Sequence, residues 1–474
     1  MRRLNLTLWF FKQGWIKTIR ELKKNTFIRV NDELGPECIQ IVLPTDELKR
    51  ARIDLKYNAS IICEGIYRKS LGKDQPTEIL AQNLKLINNC DQDFPFWNKT
   101  GNENWRPIRQ FFHLRPKVAK FAALMRLRND LDYSIREIMR ENNYINVTTP
   151  IFTSNDCEGG CQTFTIHEPK LHESSSNHID QSTEDKESSD SDDEAPGNRE
   201  ESNQDESKLD ENSPYFFGKP VKLTVSAQFH LEAAALALTR VYSISHCFRA
   251  ENSKSRKHLC EFTMFEVEES FIEDLDTLMN HAELIIKSIM DRIVVEGNEN
   301  LNLILGTTGY KLVDKLHKNY IRLTYDDAIQ VLNECQKLHP IKHGNDISRY
   351  HEDRLLEYFE NYPIFISHFP KSMKPFYMKC DSNDNALCFD LIMPIGGEVC
   401  GGSLREDDLN ILNKKLEDMD TKHLLKWYVD LRRFGHVPHG GFGIGIERLI
   451  QSLTGLENIR DCIPFPRWPH RCHL

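Results

Sequence analysis

Between Phe248 and Phe262 the chain crowds cations, a carboxylate and aromatics around a short polar turn. The run is Phe248-Arg249-Ala250-Glu251, then Lys257-His258-Leu259-Cys260-Glu261-Phe262. These side chains suit a nucleotide: arginine for phosphate, phenylalanine to stack on a purine, and a carboxylate for the amino edge of adenine. A second arginine, Arg448, lies far downstream in Gly440-Gly441-Phe442-Gly443-Ile444-Gly445-Ile446-Glu447-Arg448. Two arginines from such unlike contexts point to two clamps on one polyphosphate. The chain contains no Gly-x-x-x-x-Gly-Lys-Ser/Thr phosphate loop and no dinucleotide fingerprint. Cys157 and Cys161 have no matching second pair, so a zinc framework is not expected.

The elements that must position these groups fall into two parts. Residues 14–95 read as short strands: Thr26-Phe27-Ile28-Arg29-Val30 and Cys38-Ile39-Gln40-Ile41-Val42-Leu43 both alternate with period two. Ile28, Val30, Ile39 and Ile41 then face a small barrel core, while Phe27, Arg29 and Gln40 face out as a platform for a base; Phe27 in the core is the alternative register. Residues 96–116, with Pro107, Pro116 and Trp105, read as a hinge. From Lys117 to Asn142 the apolar positions Val118, Phe121, Leu124, Leu131, Ile135 and Ile138 follow a helical period. Mixed strands and helices follow from 214, with a helix near 274–293. Residues 296–345 read as an elaboration, since a strand pattern resumes only at Pro363.

With 474 residues and 39% hydrophobic composition, the chain can bury a large core in two or more domains. The net charge of −10 is concentrated locally: residues 168–213 hold 16 Asp/Glu and 4 Lys/Arg, leaving a body near neutrality. That Ser-rich acidic segment is too polar to offset the entropy of ordering, and disorder is expected there. No apolar run reaches the length needed to span a bilayer. Met1 to Phe11 is apolar and basic, with no acid before Glu21, which predicts a short targeting-like segment over 1–13 and mitochondrial delivery. Thirteen cysteines without regular pairing fit reduced thiols.

The combination resembles the class II aminoacyl-tRNA synthetases. The Phe-Arg-Ala-Glu…His-Leu-x-Glu-Phe segment is similar to their motif 2, the Gly-Phe-Gly-x-Gly-x-Glu-Arg segment to motif 3, and the long helix with the strand ending at Pro150 to motif 1. A barrel placed ahead of them resembles the aspartyl, asparaginyl and lysyl subgroup. The resemblance covers nearly the whole chain apart from the acidic insertion, and is weak over 296–345. It implies an α+β fold, with an N-terminal OB-fold β-barrel over 14–95 and an antiparallel sheet flanked by helices over 117–474. It also implies a homodimer that uses ATP and Mg²⁺ and acts on tRNA.

By the same resemblance, Arg249 binds the α-phosphate, and Arg448 with His258 holds the γ-phosphate of a bent ATP. Phe262 and Arg448 sandwich the adenine, Glu251 meets its amino group, Leu259 lines the same site, and Glu398 with Asp390 holds the metal. Glu158-Gly159-Gly160 is similar to a mobile loop over the amino acid, and Ser226, Gln228, Glu266 and Arg405 line its pocket. Aspartate members carry a lysine three residues after the Gln, where Leu231 followed by Glu232 stands here. One cation and one carboxylate suit a neutral carboxamide, with Arg405 donating to its oxygen and Glu232 accepting from its NH₂; the expected substrates are asparagine and tRNA(Asn). The terminal Ile463-Pro464-Phe465-Pro466-Arg467-Trp468 resembles mitochondrial members. Arg20, Phe27 and Gln40 correspond to the subgroup's anticodon-reading set, with Phe27 stacking on the central base. Lys257 stands where an arginine is usual.

Overall fold

The structure is a computed structural model. It describes residues 9–51, 54–70, 72, 75–96, 105–154, 162–166, 215–294, 298–306, 310–335 and 340–472. Glu158, Cys157, Cys161 and the acidic insertion 168–213 lie outside the described residues.

The N-terminal strands β1 (Trp9–Glu21), β2 (Asn25–Asn31), β3 (Ile39–Pro44), β4 (Ser60–Lys69) and β5 (Thr77–Asn88) close into a barrel in the order β1-β2-β3-β5-β4. Helix α1 (Thr45–Ala51) connects β3 to β4. Alternation sets the register. Ile28, Val30, Ile41, Ile61 and Ile79 fill the interior, while Phe27 is half-buried and Arg29 exposed on the outside. Trp9 to Gln13 pair with Ile66 to Ile62 of β4. These residues fall inside the leader-like 1–13 stretch, yet they supply the rung that closes the barrel.

The described residues of the stretch read as a hinge, Phe96 and 105–116, are packed. Past the short helix α2 (Trp105–Ile108), Arg115 is fully buried. Its guanidinium donates to the carbonyls of Pro464 at 2.9 Å and Arg460 at 3.0 Å, and lies over the rings of Phe112 and Phe121. Burial pulls its pKa down to about 10. Phe96 and Ile108 join the main hydrophobic core.

The large domain starts with α3 (Ala119–Glu141), which buries Phe121, Leu124, Leu127, Leu131, Ile135 and Ile138 along one face. That spacing of three and four residues is one helical stripe, and each such side chain contributes roughly 1.5–3 kcal/mol when fully buried. After β6 (Ile145–Asn146) and the small pair β7 (Phe152–Thr153) and β8 (Lys222–Leu223) come α4 (Gln228–Leu238), β9 (Arg240–Phe248) and β10 (Glu261–Ser270). Helix α5 (Leu275–Ile293) begins where the Asp274 carboxylate accepts from the Thr277 amide at 2.8 Å, an N-cap.

Residues 296–345 contain α6 (Glu299–Leu305), α7 (Tyr310–Leu316), β11 (Ile321–Thr324) and α8 (Tyr325–Cys335). Then follow α9 (Arg349–Tyr358), β12 (Ile364–Pro370), β13 (Asn385–Met393) and β14 (Gly397–Leu404). The chain continues through α10 (Leu409–Asp418), α11 (Lys426–Arg433), β15 (His439–Gly445) and α12 (Ile446–Thr454). Eight strands form one sheet in the order β11-β12-β13-β14-β15-β10-β9-β6. Its centre is antiparallel as expected, but both edges are parallel, β11 with β12 and β6 with β9. Strand β11 was not legible in the sequence, because four residues of alternating polarity are too few to declare a period. Among the described residues no helix is long and apolar enough to cross a membrane.

Candidate active site

One face of the central strands is a floor of small residues. On β10 the alternation puts Phe262, Met264, Glu266 and Glu268 on that face, and their partners on β15 are glycines: Met264 opposite Gly445, Glu266 opposite Gly443, Glu268 opposite Gly441. The row continues from Gly443 to Gly401 on β14 and then to Asp390 on β13. A β-carbon on Gly441 would lie 1.9 Å from Glu268 Oε2, and one on Gly443 would lie 2.6 Å from Met264 Cε. The glycines are there because side chains from β10 lie across them. Above this floor is a cavity of about 950 Å³, lined by Arg249, Glu251, His258, Leu259, Phe262, Glu398 and Arg448 at one end and by Ser226, Gln228, Glu266, Glu268 and Arg405 at the other.

At the first end the Arg249 guanidinium lies 5.4 Å from the centre of the Phe262 ring. Leu259 packs with Phe262, Ile459 and Ile463 behind the turn. His258 Nδ1 lies 2.5 Å from Ser255 Oγ and 3.1 Å from Ser253 Oγ, which leaves its other nitrogen 4.0 Å from Glu251 Oε2. Burial, helped by the Arg448 charge, lowers the His258 pKa. Arg448 Nη1 donates to the Glu398 carbonyl and lies 3.5 Å from the Glu398 carboxylate.

Asp390 and Glu398 meet across Gly401. Their nearest oxygens lie 3.6 and 3.5 Å from the point a Gly401 β-carbon would take. Lys374 donates to Asp390 at 2.8 Å, and burial nevertheless pushes the Asp390 carboxyl up to about 6. Two convergent carboxylates over an unobstructed glycine, open to a cavity lined by arginines, fit a hard cation that takes few ligands from the protein and the rest from phosphate.

At the second end Glu266 anchors the start of α4. It accepts from the Ala227 amide at 3.1 and 3.0 Å and from the Ser226 hydroxyl. The side-chain nitrogen Nε2 of Gln228 is buried without a partner among the described residues, where a ligand oxygen would satisfy it. Arg405 is 4% exposed and Glu268 1%; they pair in a fork, Nε to Oε1 at 2.9 Å and Nη2 to Oε2 at 2.7 Å. Burial works against the Arg405 charge, and Glu268 outweighs it to hold its pKa up.

Glu232, expected on the wall, is not there. It lies behind the cavity, fully buried, with Tyr428 Oη at 2.8 Å, Arg432 Nη2 at 2.5 Å and His439 Nε2 at 2.9 Å. Burial alone would raise its pKa, but Arg432 and His439 hold it well below the carboxylate range. The carboxylate facing the cavity beside Arg405 is Glu268. The position was readable: Glu268 follows Glu266 by two residues, so it shares the strand face. Glu232, Glu268 and His439 converge within 4.8 Å. Both oxygens of Glu232 and both of Glu268 are already taken by donors, so the cluster is an ion-pair network rather than a cation site.

On the barrel, Arg20 lies opposite Phe27 across β1 and β2, and Gln40 is opposite Arg29 on the same outer face. Gln40 Nε2 donates to Glu78 Oε2 at 3.1 Å, and Arg68 Nε donates to the other Glu78 oxygen at 2.9 Å. Glu78, buried on β5, thus orients Gln40; no spacing in the sequence linked it to β3.

Residues 103–184 and 201–469 match the family described as tRNA synthetases class II (D, K and N). The chain is 34% identical over 473 residues to the asparaginyl-tRNA synthetase of Mus musculus, covering 98% of this chain and 90% of that one. It is 35% identical over 462 residues to the mitochondrial asparagine–tRNA ligase of Schizosaccharomyces pombe, covering 96% and 92%. The solved asparaginyl-tRNA synthetase of Pyrococcus horikoshii, complexed with asparaginyl-adenylate, superposes with a TM-score of 0.81 at 27% identity, covering 98% of this chain and 96% of that one. The chain belongs to the class II tRNA synthetases of the D, K and N group, and within it to the asparagine–tRNA ligases.

Proposed function

We propose that the protein activates asparagine with ATP and transfers it to the 3′ end of tRNA(Asn) in mitochondrial translation, as a homodimer. The observation that carries the amino-acid assignment is the buried fork between Arg405 and Glu268 at the cavity wall. An arginine and a carboxylate side by side offer a donor for the carboxamide oxygen and an acceptor for its NH₂. Aspartate would bring an anion to Glu268 in a dry site, a penalty of about 1–3 kcal/mol or more. Ser226, Gln228 and Glu266 hold the rest of the amino acid, with Glu158 the candidate to close over its ammonium group.

In the first step a carboxylate oxygen of asparagine bonds to the α-phosphorus as the bond to pyrophosphate breaks. No general base is needed, because the nucleophile is already ionised. Arg249 is placed to meet charge growing on the α-phosphate, while Arg448 and His258 hold the far phosphates so that pyrophosphate leaves in line. Phe262 and Arg448 take the adenine between them, with Glu251 and Leu259 at its edge. Mg²⁺, held by Asp390 and Glu398, supplies charge neutralisation on the phosphates when bound. In the second step the tRNA 3′-terminal hydroxyl attacks the activated carbonyl and AMP leaves. Arg20, Phe27 and Gln40, steadied by Glu78, read the anticodon. Support for the dimer comes from β6, an edge strand with Ile145 exposed, and from Tyr133 and Phe152 exposed nearby in sequence. Support for the mitochondrial role comes from relatives in Schizosaccharomyces pombe and Dictyostelium discoideum that carry that designation.

The test is amino-acid-dependent pyrophosphate exchange, followed by charging of mitochondrial tRNA. Exchange with asparagine and little with aspartate is expected; equal exchange with both would defeat the pocket argument. A second test uses the glycine floor. Gly441→Ala would bring a β-carbon to 1.9 Å from Glu268 Oε2 and 2.4 Å from the Val267 carbonyl, so both the carboxylate and the adjoining β10 backbone must shift. A displacement on the order of 1 Å can cost about 10²-fold. The expected result is that loss in kcat/KM for asparagine with the KM for ATP little changed.

A further inference from the structure

The turn between β13 and β14 that leads into Glu398 is held in an unfavourable backbone conformation from three sides. Ile395, a β-branched residue, has φ +65°, and Gly397 has φ +76°. Such a backbone persists only where its surroundings over-determine it. Lys257, from the nucleotide-binding turn, donates to the Ile395 carbonyl. From the opposite side Arg349, the first residue of α9, brings Nη2 to the same carbonyl at 3.4 Å. Arg349 is itself fixed on its helix by Glu352 at 2.9 Å and Asp353 at 2.7 Å. The pair lies directly under Gly397: a β-carbon there would be 2.1 Å from Arg349 Nη1 and 2.9 Å from Glu352 Oε2. On the third side α12 closes over Gly396, whose β-carbon would meet Ser452 Oγ at 2.4 Å and the Arg448 carbonyl at 2.6 Å.

We infer that Arg349 and Glu352 are positioning residues for the metal–triphosphate end of the cavity, acting through the 394–397 turn on Glu398. Neither lines the cavity, so neither touches substrate. Their helix follows the 296–345 elaboration and precedes β12, and it thereby acquires a task in nucleotide activation. Lys257 shares that task as a strut on the turn. The inference rests on the reading of Glu398 as a metal ligand.

The experiment uses the full-length protein. Residues that orient a metal ligand typically cost about 10–100-fold in metal affinity when removed. Arg349→Ala is expected to raise the Mg²⁺ concentration for half-maximal asparagine-dependent exchange by about 10-fold. The KM for asparagine should change by less than about two-fold. Mn²⁺ binding with a non-hydrolysable ATP analogue, followed by electron paramagnetic resonance, should weaken in parallel, and Arg349→Lys should recover part of the loss. Glu352→Gln, which changes no volume, is expected to show the same shift more weakly and carries the test if Arg349→Ala does not fold. Unchanged Mn²⁺ affinity in the variants, or an asparagine KM rising in step with the Mg²⁺ requirement, would overturn the inference. Glu398→Gln separates the two readings. If it keeps full Mn²⁺ affinity, the assignment of Glu398 as a ligand fails whatever the Arg349 variants do; if it alone loses affinity, only the positioning role fails.

Discussion

Glu268→Gln is expected to lower kcat/KM for asparagine by about 10³-fold and to narrow the preference for asparagine over aspartate. Breaking one side of a buried ion pair costs about 3–5 kcal/mol, since the other charge stays uncompensated, and each 1.4 kcal/mol is tenfold. Here the stranded group is Arg405, 4% exposed at the cavity wall. Freed of Glu268, it becomes a partner for a ligand carboxylate, so aspartate should lose less than asparagine does. Measuring exchange with both amino acids, beside a thermal melt, checks this. A lower melting temperature with an unchanged amino-acid ratio would assign the pair to stability alone.

Arg249→Ala is expected to reduce kcat for asparagine activation by about 10²–10³-fold, the usual cost of removing one preorganised group that meets developing charge. The side chain rises from the end of β9 into the cavity and stacks on Phe262, so its loss leaves the sheet intact. Arg249→Lys should recover little, because an ammonium reproduces neither the fork nor the stacking. Exchange kinetics at saturating ATP decide the point. A raised KM for ATP with unchanged kcat would make Arg249 a ground-state contact and remove it from the chemistry.

Much of this site was legible because its residues sit in short runs with strong types. The Arg249–Phe262 turn and the Gly440–Arg448 run each disclose their chemistry locally, and period two alone places Phe262, Glu266 and Glu268 on one strand face. Barrel alternation likewise separated Ile28 and Val30 from Arg29. What escaped depended on long-range pairing. Glu232 falls one step beyond Leu231 on α4, and nothing nearby reveals that Arg432 and His439, 207 residues away in the second case, would claim it. Glu78 reaches Gln40 only through the parallel pairing of β3 and β5. Residues 105–116 looked loose because prolines mark irregular backbone, yet irregular backbone can still be tightly packed.

That packed interval bears on the order in which the chain can be completed during synthesis. The barrel ladder closes within residues 9–88 and needs nothing downstream. Arg115 receives its carbonyl partners only from Arg460, Ile463 and Pro464, 345 to 349 residues later. Until the ribosome has released that far end, the guanidinium must stay in water, because burying it unpaired costs several kcal/mol. The joint between barrel and synthetase body is therefore among the last parts of the molecule to set. A nascent chain presents a finished barrel on a tether before it presents the synthetase body.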